Sequence, residues 1–154
     1  TFEISQYLLT VSNVKLRQYI TAIRLTSHSL LIEYGRHRNV PRNERHCNKC
    51  TNNNGSIEDE HHVVIVCNAY HDLRTQYIST YYYKIPYMYK FIELFTTNNI
   101  ITLNKLGLFL IHSFERRNAV VNNQTYFSKD IKQNSFKCQT IIKKTSRDLH
   151  YSTL

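Results

Sequence analysis

The 154-residue sequence predicts a mainly α fold: a small helical domain over residues 1–117 with one Cys/His knuckle at 47–67, then a poorly ordered basic polar tail over 118–154. Three observations predict it. Apolar residues recur at helical spacing in several segments between Ser12 and Arg117. Three of the 4 cysteines fall between Cys47 and Cys67, while Cys138 stands alone. Beyond Arg117 the apolar periodicity fades into Asn, Gln, Ser, Thr and Lys, a composition that does not build a core.

From Ser12, the stretch VKLRQYITAIRL sets Leu16, Tyr19, Ile20 and Ile23 on one face and Lys15, Arg17 and Arg24 off it, which predicts an amphipathic helix. SLLIEYG (29–35) predicts a second, short helix that Gly35 can end in the left-handed conformation. RHRNVPRNERHCNKC, with Pro41, reads as a loop leading into the cysteines. Ser56-Ile57-Glu58-Asp59 resembles a capping box that would start a helix at Ile57, with Glu58, Asp59 and Glu60 beside its exposed amides. The β-branched run Val63-Val64-Ile65-Val66 would serve equally well as a strand. In AYHDLRTQYISTYYY, Leu73, Tyr77, Ile78 and Tyr81 keep helical spacing, and Pro86 suits the first turn of PYMYKFIELFTT. TLNKLGLFLIHSFERR takes Thr102 as N-cap and Leu103, Leu106, Leu110 and Phe114 as an inward stripe. These last three helices are expected to pack on one another. Tyr81, Tyr82, Tyr83, Tyr87 and Tyr89 could stack on bases, but aromatic residues at helical spacing more often line a core, and the core reading takes precedence.

A formal net charge of +9 favours polyanionic partners, of which nucleic acid is the commonest inside cells. Lys, Arg, Glu or Asn interrupts every apolar run well short of the roughly 18 residues that span a bilayer, so no membrane partner is expected. The start, TFEISQYLLTV, lacks the basic region and cleavage site of a secretory signal, which predicts an intracellular chain with thiolate rather than disulfide cysteines. Thr1 in place of an initiating Met suggests a piece of a longer protein. In the tail, Lys and Arg exceed Asp by four, enough to keep it solvated.

Cys47-x2-Cys50 is the spacing at which a tight turn aims two thiolates at one ion. His62 and Cys67 complete Cys-x2-Cys-x11-His-x4-Cys, four soft or borderline donors that suit tetrahedral zinc better than Mg or Ca. His61 and His46 are rival donors; His62 is preferred because its spacing to Cys67 lies within the usual three to five, with His61 at the upper edge. Four protein ligands leave no position for water, which predicts a structural centre and no catalysis. Beside it, Arg36, Arg38, Arg42, Arg45 and Lys49, opposed only by Glu44, form a candidate phosphate clamp that a rigid ion would preorganise.

The run from Leu25 to Arg74 resembles the segment downstream of the polymerase core in reverse transcriptases of non-long-terminal-repeat retrotransposons. The resemblance rests on Ser27, His28, Leu30, Ile32, Glu33, Gly35 and Arg36, then Cys47 and Cys50, then Glu58, Asp59, Glu60 and His62, and lastly Cys67, Tyr70 and Arg74. With KFIELF and TLNKLGLFLIHSFERR it covers roughly residues 12 to 117. Val63 stands where that family has Phe, and Asn68 where it has Pro. The resemblance supports His62 as the ligand. It implies a zinc-finger-like region that helps bind template RNA or target DNA, in the nucleus, docked on the rest of the parent polymerase. It does not bring polymerase activity: two-metal nucleotidyl transfer needs converging carboxylates, and Asp59, Asp72, Asp130 and Asp148 include no adjacent pair.

Overall fold

The structure is a computed structural model and describes residues 5–50 and 55–122, with side chains through Ala119. It is mainly helical. The α-helices are α1 (Gln6–Thr10), α2 (Val14–Arg24), α3 (Leu31–Arg36), α4 (His71–Tyr77), α5 (Thr80–Tyr83), α6 (Met88–Thr96) and α7 (Ile100–Asn122). A π-helix spans His62–Val66, and 3-10 turns span Arg42–Glu44 and Asn68–Tyr70. Among the described residues there is no strand, only an isolated antiparallel bridge between His46 and Ile57.

Helix α2 forms as its periodicity predicts. The Asn13 side chain accepts from the Lys15 and Leu16 amides at 2.9 and 3.3 Å, satisfying donors that have no intrahelical partner. Leu16, Ile20 and Ile23 are buried, and the half-buried Tyr19 meets Phe114 edge-on, with ring centroids 5.9 Å apart. Helix α7 supplies the other wall, with Leu103, Leu106, Phe109 and Leu110 fully buried and Phe114 nearly so. Each such side chain contributes about 1.5–3 kcal/mol before ordering costs. Gly107 sets how close α2 and α7 come: a Cβ there would lie 2.8 Å from Leu16 Cβ and 3.2 Å from Leu16 Cα.

Several expected boundaries differ, each for a local reason. Helix α7 begins at Ile100, because the Asn99 side chain, and not Thr102, caps it by accepting from the Thr102 amide at 3.0 Å. Gly35 lies inside α3 and does not end it. The left-handed residue is Asn39 (φ 57), while Gly35 makes room for Arg45, whose Cγ and Cδ would be 2.9 Å from a Cβ there. The expected helix over 69–83 breaks at Ile78, which is extended (φ −110, ψ 133) and turns its side chain inward, before Ser79 caps α5. That break, and the turn through Pro86, rotate the tyrosines outward. Tyr81, Tyr87 and Tyr89 are exposed, against the core reading, and only Tyr82 and Tyr83 pack partly on the core. The inward positions there are taken by Ile78, Leu94 and Phe95.

The helices are tied by polar contacts as well as by the core. Arg24 of α2 donates to the Phe95 carbonyl of α6 at 2.6 Å. Arg116 of α7 grips both Asp72 oxygens at 2.6 Å and the Ala69 carbonyl at 2.9 Å, while His112 stacks on Tyr77 of α4 with centroids 5.5 Å apart. Lys90 of α6 donates to the Tyr81 carbonyl of α5 at 2.7 Å. The described residues up to Arg117 form one compact unit. The expectations for Cys138 and for nearly all of the tail fall outside the described residues. No helix among the described residues is long and apolar enough to cross a membrane.

Candidate metal centre

The loop carrying the first two cysteines is pinned at its base. The Cys47 amide donates to the Ser56 carbonyl at 2.8 Å and the Glu58 amide to the Arg45 carbonyl at 2.9 Å, so the chain leaves and returns through two hydrogen-bonded rungs. Gly55, at φ +61, takes the left-handed turn that closes it. Here the capping-box expectation fails. Ile57 sits in the bridge, and the following helix is capped by Asp59, whose carboxylate accepts from the His62 amide at 2.8 Å.

That helix decides whether His62 and Cys67 can meet. Five residues of α-helix rotate about 500°, leaving two side chains roughly 140° apart. The chain runs instead as a π-turn, with the Cys67 amide donating to the His62 carbonyl at 2.6 Å, and the wider turn brings both side chains to the same face. The β-branched run becomes neither strand nor α-helix, and Val63, Val64 and Ile65 are buried behind the site. Arg74 holds the end of the π-turn, donating from Nε to the Val64 carbonyl at 2.9 Å and from Nη2 to the Cys67 carbonyl at 2.6 Å.

Cys47, Cys50, His62 and Cys67 thereby converge, with their ligand atoms all within 4.8 Å of one another. Sγ to Sγ is 3.8 Å for Cys47 and Cys67 and 3.4 Å for Cys50 and Cys67, and Cys50 Sγ lies 3.1 Å from His62 Nε2. Sulfurs about 2.3 Å from a common tetrahedral centre stand about 3.8 Å apart, so the four residues could hold a metal ion. Cys47, His62 and Cys67 are buried and Cys50 half-buried. Backbone amides also reach the sulfurs, those of Lys49 and Cys50 toward Cys47, Asn68 toward Cys50 and Ala69 toward Cys67, as is usual for amides around a thiolate-bound metal.

Three crowded thiols cannot share this space as three thiolates without a cation. The hydrogen bond from Cys67 pulls the Cys47 thiol down to about 3, whereas that same bond and burial push Cys67 up, and burial raises Cys50. The rival histidines are elsewhere. His61 Nε2 pairs with the Pro86 carbonyl at 3.1 Å and its ring meets Phe91, and the exposed His46 bonds the Gly55 carbonyl at 2.7 Å.

The three acids before His62 each have a separate partner. Glu58, fully buried, accepts from Arg117 Nε and Nη2 at 2.9 Å each and from the Leu31 amide at 2.7 Å. Asp59 is the cap already described. Glu60 binds the buried His28 at 2.8 Å; burial opposes its charge, but the imidazole holds its carboxyl below the usual range. Sequence reasoning missed Arg117 as a partner, since 59 residues separate it from Glu58. The only signal was an Arg-Arg pair ending a stripe of apolar residues.

The five predicted phosphate contacts divide. Arg45 is a structural brace, giving Nε and Nη2 to the Val40 carbonyl at 2.9 and 2.7 Å and Nη1 to the Ile32 carbonyl at 2.7 Å. Arg36 is exposed but paired with Glu33 at 2.6 Å, and Arg38 lies over the Tyr34 ring, 4.4 Å from its centroid. Arg42 is exposed on its 3-10 turn, and Lys49, half-buried, sits between the first two cysteines. No protein-family model, curated protein or solved structure matches the chain.

Proposed function

We propose that this chain is a zinc-stabilised nucleic-acid-binding module from the C-terminal part of a non-long-terminal-repeat retrotransposon reverse transcriptase. The observation that carries the proposal is the convergence of three sulfurs and one imidazole within 4.8 Å of one another, with Arg42 and Lys49 on the segment that carries the first two cysteines. Cys3His is a closed zinc donor set, so the ion is structural. The zinc holds a cationic loop beside template RNA or target DNA, in the nucleus. Nucleotidyl transfer belongs to the rest of the parent polymerase.

Elemental analysis of the purified chain should find one zinc per molecule, lost in Cys50→Ser. Nucleic-acid affinity should fall steeply with salt, and Arg42→Glu with Lys49→Glu should weaken it uniformly across sequences. Zinc-loaded protein with no affinity at low salt, or with affinity indifferent to salt, would falsify the nucleic-acid reading.

A second reading has its own observation. Tyr81, Ile85, Tyr87, Met88, Tyr89 and Ile92 are all exposed on α5, α6 and the turn between them. Tyr and Met are enriched in protein interfaces, so this face suits a scaffold docked on the parent polymerase. Loss of docking on Tyr87→Ala with Met88→Ala, with nucleic-acid affinity unchanged, favours that reading.

A further inference from the structure

We propose that Arg74 is the buried counter-charge of the metal centre and sets its affinity. This rests on the metal reading above. A divalent ion with three thiolates and a neutral imidazole carries one net negative charge, and the site that would hold it is largely closed to water. Such a charge is costly to bury unless an opposite charge is buried beside it.

Arg74 is the group placed to supply it. Its residue is 2% exposed, and among the described residues no carboxylate forms an ion pair with it, so its own charge lacks an acidic partner. Its guanidinium contacts are the Val64 carbonyl, the carbonyl of the ligand Cys67 at 2.6 Å, and the Tyr83 ring, 5.9 Å from Cζ to centroid. Arg117, the other buried arginine among the described residues, has the Glu58 carboxylate, whereas Arg24 and Arg45, which like Arg74 donate to backbone carbonyls, are exposed and half-buried. A lone buried cation and a net-negative centre, joined through one ligand's own carbonyl, balance each other.

The test uses the full chain and measures zinc affinity by competition with a chromophoric chelator. Arg74→Gln should weaken zinc binding by about 10–100-fold, the usual consequence of losing an outer partner of a metal ligand. Arg74→Lys, which keeps the charge, should stay within a few-fold of the parent. Cys50→His converts the centre to neutral Cys2His2, and in that background the Arg74→Gln effect should shrink to a few-fold. Equal losses for Lys and Gln, or an undiminished Gln effect in the Cys50→His background, would mean that Arg74 acts only as a brace for the π-turn and overturn the proposal. Should Arg74→Gln alone not fold, the pair Arg74→Gln with Cys50→His decides: zinc-dependent folding supports charge balance, and failure to fold sinks it. A parent chain that binds no zinc overturns the metal reading itself, a different outcome from tight binding that ignores residue 74.

Discussion

Arg117→Met is the most informative single change to the fold. It leaves the Glu58 carboxylate fully buried with the Leu31 amide as its remaining donor, after removing two hydrogen bonds of 2.9 Å from a guanidinium that is itself 9% exposed. Breaking a buried ion pair from one side costs about 3–5 kcal/mol, because the abandoned charge keeps its desolvation penalty. Domain stabilities are about 5–15 kcal/mol, so the loss takes a large share of the total. For a domain of this size it lowers the melting temperature by about 10–20 °C. Glu58→Gln keeps an acceptor for the Leu31 amide but strands Arg117, with a similar loss. The double variant has no buried charge at this place, and should recover at least about 2 kcal/mol relative to the sum of the two singles. Urea unfolding followed by circular dichroism, at saturating zinc throughout, measures all four corners of the cycle. A loss below about 1 kcal/mol for Arg117→Met, or a double variant as unstable as the summed singles, would refute the claim that this pair fastens the ligand segment to α7.

Gly107→Ala places a methyl group 2.8 Å from Leu16 Cβ and 3.2 Å from its Cα, so α2 and α7 must separate. The overpacking cost of about 1–3 kcal/mol exceeds the gain of about 1 kcal/mol in helix propensity, and denaturant unfolding should show net destabilisation. A variant as stable as the parent would mean that the two helices are not in close contact. The Arg116 hydrogen bonds hold the Asp72 carboxyl down to about 2 from an ordinary value of 3.8. Because the folded value is the lower one, this contribution is present above pH 4 and is lost as the pH falls toward 2. Both side chains are largely exposed, so solvent screening limits it to under about 1 kcal/mol. Arg116→Gln should flatten the acid limb of stability by that amount between pH 4 and 2, and an unchanged limb would show that the pair contributes nothing.

Much of the site was legible in the sequence because its signals are local. Cys47 and Cys50 are placed by a short turn, and a histidine five residues before Cys67 is a recognisable second half. The apolar stripes of α2 and α7 were legible for the same reason, since Leu16, Ile20, Ile23, Leu103, Leu106 and Leu110 need only helical periodicity to face one way. Tyr81, Tyr87 and Tyr89 were misread because periodicity alone does not show where a helix breaks. Ile78 is drawn inward out of helical register, and Tyr81 after it turns its ring to solvent while Tyr82 and Tyr83 pack partly on the core.

The choice among three histidines, the use of Arg45 as a brace and the fate of the acids depended on distant partners. His61 is drawn to Pro86 and Arg45 to Ile32 and Val40, while Glu58 reaches across to α7. By itself the sequence determined which side chains could hold a metal ion and which faces of the long helices are apolar, since both follow from spacing along a few turns. Only the tertiary structure decided that the second ligand pair rides on a π-turn, because a five-residue gap meets on one face only when the backbone widens and Arg74 and Asp59 hold its two ends.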